Sequence, residues 1–331
     1  MKKIVIFSVL LLILITGCSN NNEKGIIKDL KSKADKDKSY YLEGDLEIVN
    51  NDNVYNYDIE VSHKKGDFYK VSLVNTSNSH EQIILKNGDG VYVITPSLNK
   101  SFKFQSDWPY SNSQIYLLES IVNDIENDSN RIFEKKDNGY LFTTTVNYPN
   151  NKKLVKQDIL LNKKAGLKQI KVYDDNDVAL MTMKFNKIDF SPTFKKNHFT
   201  LNEALSTSKT TELTKEVASI EDVVYPLALP TGTKLISEEK VNKDNGERVI
   251  MTFDGEKPFL LVEETANVFD ELTVVPTNGE PYMLQDTLGT LTSNSLTWTT
   301  GGMEYYLVSD VLSQQELIEI AQSISVIPTM K

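Results

Sequence analysis

Cysteine is all but missing: a single one, Cys18, stands in 331 residues. With no second thiol there is no intramolecular disulfide and no cysteine-rich zinc cluster, so a packed core must hold the chain. Histidine is nearly as scarce. His63, His80 and His198 each fall in or beside a stretch that reads as a turn, and none is spaced as a metal ligand on one helix or strand. Positive charge is in deficit, with 36 Lys and Arg against 46 Asp and Glu and a net charge of −10. Nucleic-acid binding needs clustered cations to neutralise phosphates, and this balance argues against it. No glycine-rich phosphate loop follows a strand and opens a helix. Ser-x-x-Lys occurs at Ser62–Lys65, Ser97–Lys100, Ser206–Lys209 and Ser237–Lys240, a scatter that reads as chance in a lysine-rich chain rather than as a nucleophile.

Long apolar runs are also missing, except at the start. Lys2 and Lys3 precede the apolar segment Ile4 to Ile15, broken only by Ser8. At about twelve residues it falls short of the roughly 20 that a transmembrane helix needs. It reads as a cleavable signal occupying residues 1–17. Its removal takes Lys2 and Lys3 out of the basic side chains and no acidic residue, so the mature chain is more acidic still. A mature length near 310 residues suggests two domains.

Residues 19–38 are polar, with Ile26, Ile27 and Leu30 at helical spacing, and read as a tether leading into a short docked helix over 18–38. Its lysines are interleaved with Glu23, Asp29, Asp35 and Asp37, as on a solvated face. From Tyr40 the period changes to two. Leu42, Leu46 and Ile48 share one face of a strand; Tyr55, Tyr57, Ile59 and Val61 share a face of the next, and Tyr69, Val71 and Leu73 of a third. Asn50 to Asn53 and Lys65-Gly66-Asp67 are the turns. Strands follow at Gln82 to Leu85, Val91 to Thr95 and Phe102 to Phe104. A helix through Ile115, Leu118, Ile121, Val122 and Ile125 comes next, with Ser111 or Ser113 placed to cap it. Four more strands, Tyr140 to Val146, Leu154 to Leu161, Leu167 to Tyr173 and Ala179 to Phe190, complete an antiparallel meander over 39–201. Asp174-Asp175-Asn176-Asp177 lies between the last two. It admits calcium as clustered oxygen ligands, but lacks the glycine and terminal glutamate of an EF-hand and reads as a hairpin turn.

Residues 202–221 read as a linker rich in Thr, Ser, Glu and Lys. Over 222–331, six strand candidates (Lys234 to Glu238, Arg248 to Phe253, Phe259 to Glu264, Thr287 to Thr292, Ser295 to Thr299, Glu304 to Ser309) precede a helix capped by Ser313. Glu316 completes its capping box, and Leu317, Ile320, Ala321 and Ile324 face the sheet. The fold class is mainly β: a curved antiparallel incomplete barrel with a few helices, then a smaller α+β domain.

Ile15-Thr16-Gly17-Cys18 resembles the lipobox of bacterial lipoproteins, in which the signal is cut between glycine and cysteine. The resemblance implies covalent diacylglycerol on Cys18, no other cofactor, and attachment to the extracytoplasmic face of the cell membrane. Two acyl chains anchor a protein stably, at about 0.8 kcal/mol per buried methylene. The stretch from Gly88 to Leu118, with Gly90-Val91-Tyr92-Val93, Thr95-Pro96, Lys100-Ser101-Phe102 and Ser106-Asp107-Trp108-Pro109-Tyr110, resembles the LolA-like superfamily of lipoprotein carriers over roughly residues 24–201. It is closer to the sporulation lipoproteins and GerS-related germination lipoproteins of Gram-positive spore formers. Leu296-Thr297-Trp298 and Gly301-Gly302-Met303-Glu304-Tyr305-Tyr306 are similar to a domain of unknown function in clostridial lipoproteins and anti-sigma-factor-like proteins. Neither resemblance supplies a catalytic motif, so the chain reads as a non-enzymatic binding or scaffold protein of the envelope, acting in sporulation or germination. The LolA-like resemblance implies an open half-barrel, whose sheet edges would take a protein partner or a second copy by strand exchange. The face carrying Leu46, Ile48, Tyr55, Tyr57, Ile59, Tyr69, Val71 and Leu73 keeps two readings: ordinary core, or the wall of an apolar groove for an acyl chain or apolar peptide, as in a lipid or lipoprotein carrier.

Overall fold

The structure is a computed structural model that describes residues 22–35, 38–50, 53–110, 113–208, 219–244, 246–284 and 286–326. The signal segment, Gly17 and Cys18 lie outside the described residues. Helix α1 (Glu23–Lys33) is capped by Asn22, whose side-chain oxygen accepts from Gly25 N at 2.8 Å, and buries Ile26 and Leu30. Strands β1 (Tyr40–Asn50), β2 (Asn53–Lys64), β3 (Phe68–Asn75), β4 (Glu81–Asn87), β5 (Gly90–Thr95) and β6 (Lys100–Phe104) run as an antiparallel meander. Helix α2 (Leu118–Asn127) intervenes. Then β7 (Ile132–Lys136), β8 (Gly139–Thr145), β9 (Lys156–Asn162), β10 (Leu167–Tyr173) and β11 (Ala179–Asp189) return, and β11 pairs with β1. The resulting sheet is open and curved rather than closed, as the LolA-like resemblance implies.

Curvature has a local cause at the middle of the sheet. The β1–β11 register shifts between Glu43 and Gly44, and a Cβ on Gly44 would collide with the Lys184 carbonyl oxygen. A bulge there bends the strand pair, and only glycine admits so close a backbone. The concave face is filled by Leu42, Leu46, Ile59, Val61, Val71, Phe142, Ile159 and Ile170, against Leu118, Ile121, Val122 and Ile125 of α2. β4 and β5 bury both faces. Ile83, Leu85, Tyr92 and Ile94 point to the convex side, where Phe199 and Ala204 cover them. That accounts for their unbroken apolar runs. Ala204 belongs to α3 (Leu201–Ser206), a helix at the start of what the composition reads as linker; residues 209–218 of that stretch lie outside the described residues.

The expected helix cap is not made. The helix begins at Leu118 with Leu117 at the cap position and no side-chain bond to it, while Ser111 lies outside the described residues. Ser113 instead donates to Asp124 Oδ1 at 3.0 Å and accepts from Asn147 N at 2.9 Å. Ile115, Tyr116 and Leu117 are buried in a turn ahead of the helix, which explains their helical spacing without helix.

The second half builds a seven-stranded sheet from β13 (Thr233–Lys243), β14 (Gly246–Gly255), β15 (Phe259–Thr265), β17 (Glu280–Met283), β18 (Leu288–Leu291), β19 (Ser295–Thr300) and β20 (Met303–Val308). Helix α4 (Gln314–Gln322) carries the capping box of Ser313 and Glu316 and packs Leu317, Ile320 and Ala321 on Leu261, Trp298 and Leu307. Short β12 (Val224–Pro226) and β21 (Ile324–Val326) pair beside it. One strand crosses over: β16 (Thr273–Thr277) pairs parallel with β6, so the first sheet has twelve strands and ends on a segment of the second half. Pro276 hides that strand from the sequence pattern and is tolerated because β16 is an edge. The opposite edge, β7, is studded with Glu134, Lys135 and Lys136. Proline and charge are both features that discourage edge pairing on this sheet.

Two buried polar contacts lock the halves together. Gln82 mimics a strand backbone, donating to Leu288 O at 3.1 Å and accepting from Thr287 Oγ1 at 3.0 Å and from Leu288 N. Lys100 pairs with Glu304, both buried. Lys100→Met strands the Glu304 carboxylate and is expected to cost about 3–5 kcal/mol, whereas Lys100→Met with Glu304→Met recovers most of it. Urea unfolding of the three proteins checks this.

Candidate functional site

At the junction of the halves lies an apolar cavity of about 120 Å³. Its first wall is the end of β1 with Leu46, Ile48 and Asn50, joined by Leu180 and Met181 at the start of β11. The turn before α2 supplies Ile115 and Tyr116, and the loop after β6 supplies Trp108, whose carbonyl accepts from Lys86 Nζ at 2.7 Å. Tyr148 and Leu154 close a side. The second half covers the rest with Pro281, Tyr282, Met283, Leu284 and Leu288, held in place by the Gln82 contacts. Asn151, Lys153 and Gln322 stand among the few polar side chains of the lining.

Burial pushes the Tyr282 phenol up to about 12 and moves Tyr116 and Tyr148 upward as well, so all three stay neutral. The lining therefore offers aromatic and aliphatic surface with neutral hydroxyls. An apolar cavity of roughly 150 Å³ admits a benzene ring, while pockets for drug-sized ligands run about 300–1,000 Å³. One ring or one branched side chain fits; a whole acyl chain does not.

Of the face singled out by alternation, only Leu46 and Ile48 reach this cavity. Tyr57, Ile59, Tyr69, Val71 and Leu73 are sealed in the core, and Tyr55 packs at its margin. Pro281 to Leu284, Leu288 and the Gln82 clamp escape sequence reading, because they meet Leu46 and Ile48 only through the fold. A polar Gln82 at the head of an apolar strand is the one local signal.

The histidines also need correction. His80 follows a turn and His198 lies in one, stacked on Phe194 at 4.8 Å with its ring nitrogen 2.9 Å from Ser62 Oγ. His63, however, sits inside β2 with no exposed surface, its ring between Tyr40 and Tyr69 at 5.0 and 4.5 Å. Its Nδ1 is 3.3 Å from Glu119 Oε1, a charge-pair distance without hydrogen-bond alignment, and Tyr40 donates to Glu119 Oε2 at 2.8 Å. Burial raises Glu119 to about 7 and lowers His63 to about 4. Both are thus held toward their neutral forms, His63 between aromatic rings and Glu119 at the border of the clefts beside α2. Among the described residues no three His, Cys, Asp or Glu converge as a metal would need. Asp174 Oδ1 is taken up by the N–H groups of Asn176 and Val178 in the hairpin turn.

No family model matches the chain. It is 37% identical over 322 residues to the sporulation protein YdcC of Bacillus subtilis (strain 168), covering 97% of this chain and 95% of that protein. Among solved structures, it is similar to a chain of the Pseudomonas aeruginosa MucA/MucB complex, with a TM-score of 0.33 and 10% identity over 91% of this chain and 98% of that one. It is also similar to the LolA superfamily protein NE2245 of Nitrosomonas europaea (TM-score 0.30, 12% identity, 53% and 98% covered). A third is a chain of the CwlD amidase–GerS lipoprotein complex of Clostridioides difficile (TM-score 0.24, 18% identity, 52% and 96% covered). Scores this low assign neither ligand nor partner.

The raised Glu119 sets a pH dependence. Between pH 4.5 and about 7 the folded protein keeps a proton that the unfolded chain has lost, so this stabilising contribution is full below pH 4.5 and drains away as pH rises through 7. Glu119→Gln removes the titration while keeping an acceptor for Tyr40. Relative to the native protein the variant should gain as much as about 3 kcal/mol between pH 4.5 and 8, read by urea unfolding across that range. His63 acts in the opposite sense but is common to both proteins.

Proposed function

The chain belongs to the family of the sporulation protein YdcC, and on that premise we propose that it is a lipid-anchored extracytoplasmic protein that works in sporulation by binding a protein partner without catalysing a reaction. The observation that carries this reading is the filled half-barrel. The concave face is packed by α1 and α2, its mouth is covered by the second half, and about 120 Å³ of apolar space remains at the junction, while the larger cleft of about 860 Å³ between α1 and α2 is bordered by the charged side chains of Lys28, Lys31, Asp35, Asp67, Glu119 and Glu126. A carrier must enclose the chains it moves. The junction cavity instead suits one aromatic or branched side chain, of the kind that anchors a protein interface in a central pocket.

Attachment to the membrane is supported by the complete signal and the Ile15-Thr16-Gly17-Cys18 lipobox. An anchored binder acts at one surface, and a partner site built where two sheets are joined by buried polar contacts fits that use. The buried His63–Glu119 pair fits a structural role, because burial holds both groups toward neutrality and His63 has no exposed surface.

Native mass spectrometry of the membrane-extracted protein, exchanged out of detergent, is expected to show the diacylglyceryl chain and no further lipid. Retention of a fatty acid or phospholipid would favour the lipid-carrier or sensor reading instead. Cys18→Ala is expected to appear in the soluble fraction and to fail in restoring spore formation to a deletion strain. Full restoration by the soluble variant would show that tethering is dispensable.

A further inference from the structure

The exposed aliphatic side chains of the first half are not scattered. Val54, Ile132, Val155 and Val178 are 54%, 55%, 36% and 50% exposed, and the strand registers put all four at one end of the sheet. Val54 pairs with Val49 at the β1–β2 tip, and Ile48 pairs with Met181 just past Val178. Tyr173 pairs with Lys156, next to Val155, and Lys156 pairs with Thr145; Ile132 opens β7 opposite Thr143. At the other end of the same strands the turns carry Lys64, Lys65, Lys136, Asp137, Lys163 and Lys164. The two exposed aromatics, Phe190 and Tyr110, each lie under a lysine there, Lys33 at 5.7 Å and Lys86 at 4.6 Å.

The anchor belongs to the aliphatic end. Glu23 in the first turn of α1 accepts from Arg131 Nε at 2.8 Å, one residue before Ile132, and Asp128 holds Thr145 N at 2.7 Å. Cys18 precedes the cap Asn22 by four residues, which reach at most about 14 Å even when extended. No described helix is long and apolar enough to cross a membrane.

We propose that this strand-end rim, with Ile132, Val155 and Val178 beside the first turn of α1, is the surface that rests on the lipid headgroups around the anchor. The proposal rests on acylation of Cys18. The short tether forbids the body from standing far off, and shallow insertion of aliphatic tips with Lys152 and Lys153 near the phosphates is the contact such a surface makes; Asp174, Asp175 and Asp177 share the rim, Asp177 paired with Lys156, so the insertion is driven by the aliphatic tips and the anchor rather than by net charge. The junction cavity, whose wall includes Ile48, Met181 and Lys153 from the same strand ends, would then sit close to the membrane.

The acylated protein has no free thiol, so an introduced cysteine is a unique probe. Ile132→Cys and Val155→Cys on the rim, with Lys65→Cys and Lys164→Cys at the far end, would be labelled with bimane in the full-length lipoprotein. Each is then reconstituted on vesicles of phosphatidylglycerol and phosphatidylethanolamine carrying doxyl lipid. Several-fold stronger quenching at the two rim positions than at the two far positions is the expected result. Equal quenching, or stronger quenching at the far end, in protein that floats with the vesicles overturns the proposal alone. Failure of the protein to float overturns the anchor, and this proposal with it.

Discussion

A curved open sheet has a concave apolar face that water must not reach, and the way that face is covered governs the rest of this molecule. Bending at Gly44 wraps twelve strands around a space that α1 and α2 only partly fill. The second half supplies the remainder, giving β16 to the free edge at β6 and laying Pro281, Tyr282, Met283, Leu284 and Leu288 over the mouth. Exposed apolar area on this scale would cost about 25 cal/mol per Å². The two halves are therefore one packing unit rather than two bodies on a string.

Polar groups buried in that joint set its geometry. Apolar contact alone is indifferent to sliding, whereas Gln82 against the Leu288 peptide and Lys100 against Glu304 are each satisfied in one relative placement. Inside the first core Tyr40 donates to Glu119 and ties the start of β1 to α2, with His63 of β2 packed between the rings of Tyr40 and Tyr69. Glu119 and His63 are held toward neutrality, which is how a low-dielectric interior tolerates them.

The functional reading follows from that rigidity. A seam cavity this small has little room for a lipid cargo, and both edges of the larger sheet carry groups that discourage strand addition. What it offers is a small apolar cavity at the seam, built from both halves, on a protein whose full-length relative acts in sporulation. Lipid attachment, where it occurs, would fix the orientation of that seam, because α1 begins within a few residues of Cys18.

Strand alternation from Tyr40 to Phe190 and the Ser313 capping box are legible in the chain, because periodicity and capping depend on neighbours in sequence. The curved, mainly β architecture followed from them and from the LolA-like resemblance. The start of α2 was misplaced, since Ile115 and Tyr116 owe their burial to a turn that lines the cavity and not to a helix. β16 was invisible because its strand character comes from β6, about 170 residues away, and not from its own pattern. The sequence alone thus determined which segments extend and which face of each is apolar; only the tertiary structure decided that five of the eight apolar candidates are sealed core and Tyr55 packs at its margin, while Leu46 and Ile48 meet Tyr282 and Leu288. That meeting is set by long-range packing and by buried polar locks, whose energy exists only once both halves are in place.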